Sequence, residues 1–330
     1  MSAIRTRLTE RFGLHVPVVS APMALIAGGR LAAAVSRAGG LGLIGGGYGG
    51  ALGGEPPLDA EWREVGNEPV GIGFILWALR ERRDAVLDEA LARRPKAVFL
   101  SFPEAPADLD APALRVRDAG VPLMVQVQTL DLARRALDLG ADAVVAQGTE
   151  AGGHGGARAT LPFVPEVADL AARTAPGTLV LAAGGIADGR GLAASLMLGA
   201  DGAVVGSRLW ASAEALTPPS HVSRAIAASG DGTVRTRRID RARGVAWPSD
   251  YSFRTLRNRF TDALETREPS FGEAAERYAD ARARDDAETV VAVAGEAAGL
   301  IADRPPAGEI VARMAAEAAE ALRRGASLRA

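Results

Sequence analysis

The chain has three histidines, His15, His154 and His221, and only His154 lies in a stretch whose residue types could do chemistry. That stretch is Ala143 to Gly156, AVVAQGTEAGGHGG. Its first four residues are small and apolar and read as a buried strand; the rest is a glycine-rich loop presenting Gln147, Thr149, Glu150 and His154. Glycine lets backbone approach a bound molecule closely and take positive φ. Imidazole titrates near neutrality, so it can act as a base or, protonated, as a cation toward an anionic ligand. Functional side chains concentrate on strand-end loops of this kind; the competing reading is that His154 only hydrogen-bonds within its loop. Glu150 fits two roles, orienting His154 or capping a turn. His15 and His221 read as surface or packing residues.

Composition narrows the classes that can use such a loop. With 330 residues and 48% hydrophobic content, the chain can bury a large core. A formal charge of −2 and an isoelectric point near 6.0 give no general electrostatic reason to bind nucleic acid or an anionic membrane. The absence of cysteine excludes disulfides, thiolate metal sites and cysteine nucleophiles. No spaced His/Asp/Glu cluster suggests a metal. The N-terminal residues lack the apolar core of a signal peptide, and no segment reaches the roughly 18 uninterrupted apolar residues of a membrane span. A cytoplasmic protein is expected.

The elements that must position His154 are eight short, nearly continuous apolar runs: Val16–Ser20, Leu41–Ile44, Val70–Leu76, Ala97–Phe102, Pro122–Val127, Ala143–Ala146, Thr178–Ala182 and Gly202–Val205. Helical patterns alternate with them, among them Leu31–Ala38, Arg80–Arg93, Asp108–Ala119 and Leu130–Leu139. Strands buried on both faces lose in-out polarity, so the alternation predicts a parallel sheet covered by helices. Eight repeats favour an α/β (β/α)8 barrel over an open sheet. The barrel is expected over residues 1–215. Residues 216–330 read as a mainly helical cap, with helices near Phe253–Glu265, Phe271–Arg282, Ala287–Ile301 and Gly308–Arg324.

In such barrels chemistry sits at the C-terminal ends of the strands, and phosphate is often held after strands seven and eight. Here those loops are Ala183-Gly184-Gly185-Ile186 and Gly206-Ser207, each leading into a helix start where backbone N–H groups favour an anion. Flavin mononucleotide or a phosphorylated substrate would suit them; the alternative is plain turn glycines. Gly40-Leu41-Gly42-Leu43-Ile44-Gly45 matches a dinucleotide fingerprint, but a helix precedes it and the strand lies inside it, so the context required of that fingerprint is missing.

Ala21-Pro22-Met23, Gln126-Val127-Gln128-Thr129, Gln147-Gly148-Thr149-Glu150-Ala151-Gly152-Gly153-His154, Ala183-Gly184-Gly185-Ile186 and Val204-Val205-Gly206-Ser207 together resemble the nitronate monooxygenase family of FMN-dependent (β/α)8 enzymes. Residues 14–215 carry the resemblance, and it runs on more weakly through Arg254–Asn258 and Gly299–Ile301. It implies that His154 is catalytic beside the flavin's reactive face. Gln147 and Gly152 would contact the ring system or ribityl chain, with Met23 packing near the ring. Gly185 and Val204, Val205, Gly206 and Ser207 would hold the phosphate end. Ala21, Pro22, Gly73, Gln126, Gly153 and Gly184 complete the expected cofactor contacts. One departure stands out: where the family commonly has Gly-x-Asn, this chain has Gly71-Ile72-Gly73, and Gln126 or Gln128 would have to substitute for the lost contact.

The resemblance implies oxidation of alkyl nitronates, such as propionate 3-nitronate, by O2 to a carbonyl compound and nitrite. Two alternatives stand beside it: an NAD(P)H-dependent FMN reductase acting on quinones or enoyl-acyl carrier protein, and a non-catalytic barrel binding a phosphate ligand. The arginines at 235, 237, 238, 241 and 243 read as a solvated face or a site for an anionic cofactor or acyl-carrier partner. Tryptophans 62, 77, 210 and 247 line a pocket or pack. An apolar helix face left over could be buried on the barrel or pair two copies into a homodimer.

Overall fold

The computed structural model describes residues 4–49, 57–79, 83–266, 271–284 and 286–328. All eight expected apolar runs form parallel strands: β1 (Val18–Ser20), β2 (Leu43–Gly47), β3 (Gly71–Ile75), β4 (Val98–Ser101), β5 (Leu123–Val127), β6 (Ala143–Gln147), then, after β7 (Gly153–Gly155), β8 (Leu179–Ala183) and β9 (Gly202–Val205). Their spatial order is β1-β9-β8-β6-β5-β4-β3-β2. The ends meet through a parallel bridge between Val19 and Leu41, with Ser20 N donating to Leu41 O and Leu41 N to Val18 O, both at 2.9 Å. This closes a (β/α)8 barrel.

Period-two alternation sorts the strand residues. Phe99, Met124, Ala143, Val145, Leu179, Leu181 and Val204 share the interior, while Val98, Leu100, Val125, Val144, Ala146, Val180 and Val205 pack outward against the helices. The helix Arg7–Phe12, started by a reciprocal capping box between Thr6 and Thr9, contributes Leu8 and Phe12 to the interior cluster. A Cβ on Gly202 would lie 2.5 Å from the Leu8 side chain, so this helix plugs the end where the strands begin. Several helices turn back into strands through left-handed glycine, as at Gly140 with φ +70°.

The charged helix expected from Arg80 is observed as Arg83–Ala92; residues 80–82 lie outside the described residues. Beyond residue 215 the expectation needs correction in two places. Residues 252–256 are a strand, β11 (Ser252–Leu256), with helix resuming only at Arg259–Thr266. Residues 287–301 are mostly irregular, with one 3-10 turn at Glu296–Leu300. β11 pairs antiparallel with β10 (Thr233–Thr236) on one side and β7 on the other. Where β7 ends, Ala292 O takes over and accepts from Leu256 N at 3.0 Å and Thr255 Oγ1 at 2.7 Å. Segment 287–301 is therefore recruited as an extended edge; its backbone groups are satisfied between elements rather than along a helix.

The helix Phe271–Ala283 packs over β11 through Tyr278 and Ala281. The last helix, Ala307–Ala326, returns to the barrel wall: Ile310, Val311, Met314 and Ala318 join the outer core with Leu192 and Leu31. It lies against the helix Gly189–Met197, where Glu317 Oε2 accepts from Gly189 N at 2.8 Å. No helix among the described residues is long and apolar enough to cross a membrane, and no group of three or more His, Asp or Glu among them could hold a metal ion.

A Cβ at Gly189 would sit 2.3 Å from Ala318 N in the facing backbone. Gly189→Val is expected to cost about 1–3 kcal/mol through this overpacking, measured as a lower urea midpoint with an unchanged m-value.

Candidate active site

The loop after β6 is built in steps. Alternation turns Gln147 inward after Ala143 and Val145, and it turns Gln126 inward after Met124 on β5. Gln147 Oε1 accepts from Gln128 Nε2 at 2.9 Å and Gln126 Nε2 at 3.3 Å, while Gln147 Nε2 donates to His154 O at 3.1 Å. Glu150 does not orient His154. Its carboxylate accepts from Thr160 N at 2.9 and 3.0 Å and Thr160 Oγ1 at 2.8 Å, at the first residue of the helix Thr160–Thr174, a helix-start role. Gly152 passes so close to Gly295 that a Cβ there would lie 2.6 Å from Gly295 N. The chain then leaves the barrel as β7, whose register sets His154 opposite Phe253.

His154 is buried there. Its Nε2 lies 2.8 Å from Asp240 Oδ2, and both side chains are about 5% exposed. The Trp247 indole stacks on the imidazole with ring centroids 3.3 Å apart and planes within 9°; Phe253 approaches at 4.7 Å. Burial pushes the imidazole pKa below its ordinary value; Asp240 opposes this, and Arg243 and Arg235 reinforce it. The ring is therefore neutral around pH 7. Because a carboxylate only accepts, the ring proton belongs on Nε2, and Nδ1 is the basic nitrogen.

Aromatic side chains wall this position. Phe102, which follows β4 with φ +53°, meets Trp247 at 5.2 Å and Tyr251 at 5.1 Å. Trp77, following β3, meets Trp247 at 5.1 Å, and Tyr48, following β2, meets Trp77 and Trp247 each at 6.1 Å. A non-glycine residue in the left-handed region beside a site is the kind of strain that a fixed local geometry sustains. Of the four tryptophans, 77 and 247 belong to this wall. Trp210 is buried in a separate cluster beneath the C-terminal segment, and Trp62 packs on the outer core.

The arginine run divides. Arg237, Arg238 and Arg241 are exposed, but Arg235 is drawn under the His154 loop. It donates to Thr149 O (2.9 and 3.1 Å), Ala151 O (2.8 Å), Gly155 O (3.3 Å) and Ser252 O (2.7 Å). Burial pushes its pKa down to about 10, which leaves it a cation at neutral pH. Arg243 lies 5.6 Å over both the Phe253 and Tyr278 rings and 3.9 Å from Asp240 Oδ1.

The remaining expected residues line the strand ends. Pro22 packs onto Gly73: a Cβ at Gly73 would lie 2.4 Å from Pro22 Cγ and 3.3 Å from Phe99 Cβ. The position where the family commonly carries asparagine thus has no room for one without moving Pro22. Ala21 and Met23 face Gly206, at 3.6 and 3.9 Å from its notional Cβ. Gly184 and Gly185 adopt φ +104° and +73°, Gly184 tight against Gly148 O. Gly206 precedes the short helix Ser207–Trp210, and Ser207 Oγ accepts from Gly295 N at 2.9 Å. Val204 points into the barrel and Val205 out of it, so only the backbone of Val205 can face a ligand at the mouth. Gly153 supports β7 opposite Arg254. His15 abuts Gly39 and His221 lies in the helix Pro219–Ile226; neither contributes. Asp240 and Phe102 escaped the sequence reading. Asp240 carried one signal, as the sole acid within Arg235–Arg243, RTRRIDRAR.

The family model for nitronate monooxygenase matches residues 5–73 and 84–317. The chain belongs to the nitronate monooxygenase family. It is 34% identical over 342 residues to the nitronate monooxygenase of Neurospora crassa, spanning 93% of this chain and 90% of that one. Among solved structures it is similar to FabK from Thermotoga maritima, with TM-score 0.80, 30% identity and coverage of 98% and 99% of the two chains. It is also similar to the nitroalkane oxidase from Streptomyces ansochromogenes, with TM-score 0.74, 27% identity and coverage of 94% and 98%. Membership in the nitronate monooxygenase family makes the protein an oxidoreductase, with a flavin as the implied redox group, and sets aside the non-catalytic barrel.

Arg235 satisfies four carbonyls that no single ammonium can span. Arg235→Lys is expected to lower stability by about 2–3 kcal/mol, because buried acceptors lose their donors, and to raise hydrogen exchange selectively in residues 149–155.

Proposed function

We propose that the protein oxidises alkyl nitronates, propionate 3-nitronate among them, with flavin mononucleotide and O2, giving a carbonyl compound and nitrite, and that it also takes neutral nitroalkanes through proton removal by His154. Nitronate oxidation rests on membership of the family; the reach to neutral nitroalkanes rests on the buried imidazole of His154, held neutral, with Nε2 committed to Asp240 and Nδ1 left as the base.

The residues present fit such a cofactor. Gln128 Oε1 is buried without a hydrogen-bond partner among the described residues, as suits an acceptor awaiting the polar edge of a flat ring. The left-handed pair Gly184–Gly185 and the turn Gly206–Ser207 lie where barrels of this class hold phosphate, with the Ser207 hydroxyl free to donate while it accepts from Gly295 N. Gln126, Gln128 and Gln147 would hold the ring edge, Ala21, Pro22 and Met23 would flank it, and Gly185 together with Val204, Val205, Gly206 and Ser207 would take the phosphate. Bound there, the flavin supplies electron transfer; orientation and proton transfer fall to the protein.

A nitronate already carries the electron pair that oxidation consumes, so it needs no base. A neutral nitroalkane must first lose a carbon-bound proton, which Nδ1 of a neutral imidazole accepts, leaving an imidazolium stabilised by Asp240. The aromatic wall of Trp77, Phe102, Trp247 and Tyr251 keeps water away and favours apolar chains. The protein is expected to act on free small molecules.

The second reading, an NAD(P)H-dependent flavin reductase, rests on the similarity to FabK. Anaerobic mixing separates the two. Flavin reduction by propionate 3-nitronate, with nitrite formed on admitting oxygen, supports nitronate oxidation; bleaching by NADH alone moves the assignment to a reductase. His154→Asn is expected to retain flavin and nitronate turnover while nitroalkane turnover falls on the order of 100-fold or more. Equal turnover of the nitroalkane by the variant would remove His154 from proton transfer.

A further inference from the structure

Asp240 is a costly residue where it stands. It sits on the short helix Arg238–Ala242, with its side chain about 5% exposed. Only one of its oxygens has a hydrogen bond, the 2.8 Å contact from His154 Nε2; Oδ1 has none among the described residues, and its nearest cation is Arg243 at 3.9 Å. A buried carboxylate with half its acceptor capacity unused destabilises a fold unless its remaining contacts repay the desolvation. Among the described residues no backbone N–H, helix start or second side-chain donor is served by it. Its one directed interaction is with the imidazole.

We propose that Asp240 is the positioning residue for His154, holding the ring with its proton on Nε2 so that Nδ1 alone can take the substrate proton. The proposal rests on the reading of His154 as a base. Arg243, stacked over Phe253 and Tyr278, stands 3.9 Å from the second carboxylate oxygen and balances its charge. Trp247 and Phe253 cover faces of the imidazole, so rotation about the ring's attachment is blocked sterically and the proton position is set electrostatically. The charged groups facing the pair are Arg243, from the turn after the helix carrying Asp240, and Arg235, from β10; Trp247, Phe253 and Phe102, on the other packed elements, do not titrate. Both arginines disfavour imidazolium, and Asp240 favours it. Removing the carboxylate therefore leaves a weaker base with an unfixed tautomer.

Asp240→Asn tests this, since the amide is isosteric and can offer its NH2 to Nε2, shifting the ring proton to Nδ1. The readouts are kcat/KM against pH for nitroethane and for ethyl nitronate, flavin content from the visible spectrum, and the 15N NMR signals of the three histidines. The expected result is a fall of about 100- to 10,000-fold for nitroethane, the range lost when a catalytic imidazole is held in the wrong tautomer, with ethyl nitronate within about threefold and flavin content retained. The acidic limb of whatever nitroethane activity remains should move to lower pH, and the Nε2–H signal of His154 should be lost. Unchanged nitroethane kinetics, or an equal fall for both substrates with loss of flavin, would overturn the proposal, the latter marking Asp240 as a brace only. If the wild-type protein turns over neither substrate, the substrate assignment fails, while the tautomer seen by NMR still decides the pairing: a wild-type His154 protonated on Nδ1 overturns it.

Discussion

Three residues of antiparallel ladder, Gly153–Gly155 against Ser252–Arg254, fix where the imidazole sits. A loop leaving a barrel strand has no inherent reason to stop anywhere, and the glycines of this one make it more permissive still. Pairing with β11 removes that freedom, and Arg235 ties down the carbonyls that the pairing leaves over. The close approach of Gly152 to Gly295 adds a third tether. Glycine here serves packing of backbone on backbone, which is a different demand from making room for a ligand.

Once the strand is anchored, burial does the electrostatic work. The aromatic wall lowers the local dielectric around His154, so the ring prefers to be neutral and the single contact to Asp240 counts for more than it would in water. The insertion after β9 brings Asp240, Arg235, Arg243 and Trp247, whereas the barrel brings His154, Phe102 and the glutamines. Neither part makes the site alone. The barrel mouth supplies glycine turns at its strand ends, and the insertion supplies the charged groups that set the protonation state of His154.

The barrel was legible because each of its strands is a short apolar run between breakers, and because interior and exterior positions alternate without exception at the residues that matter, such as Gln126 and Gln147. The mouth was legible through loops with distinctive composition. What was not legible depended on partners far along the chain. β7 is three residues, two of them glycine, and has no propensity of its own. Phe253 to Glu265 carries apolar residues at helical spacing, yet its first part is claimed by β7 and β10 through backbone pairing that the pattern does not encode. Segment 287–301 lost its helix for the same reason. Asp240 lies 86 residues from His154; only its isolation among arginines marked it.

The outer wall of the barrel is finished by a helix that begins at Ala307, although the last barrel strand ends at Val205. During synthesis from the N-terminus, all eight strands and the whole insertion are therefore out of the ribosome before the groove beside Gly189–Met197 and Gly29–Arg37 receives its cover. Until then Leu192, Leu31 and their neighbours face solvent, and Gly189 N has no Glu317 to donate to. The nascent chain thus passes through a stage that is complete at its mouth and open at its flank. A chain halted in that interval would expose an apolar flank, the kind of surface that makes partly folded chains prone to aggregate.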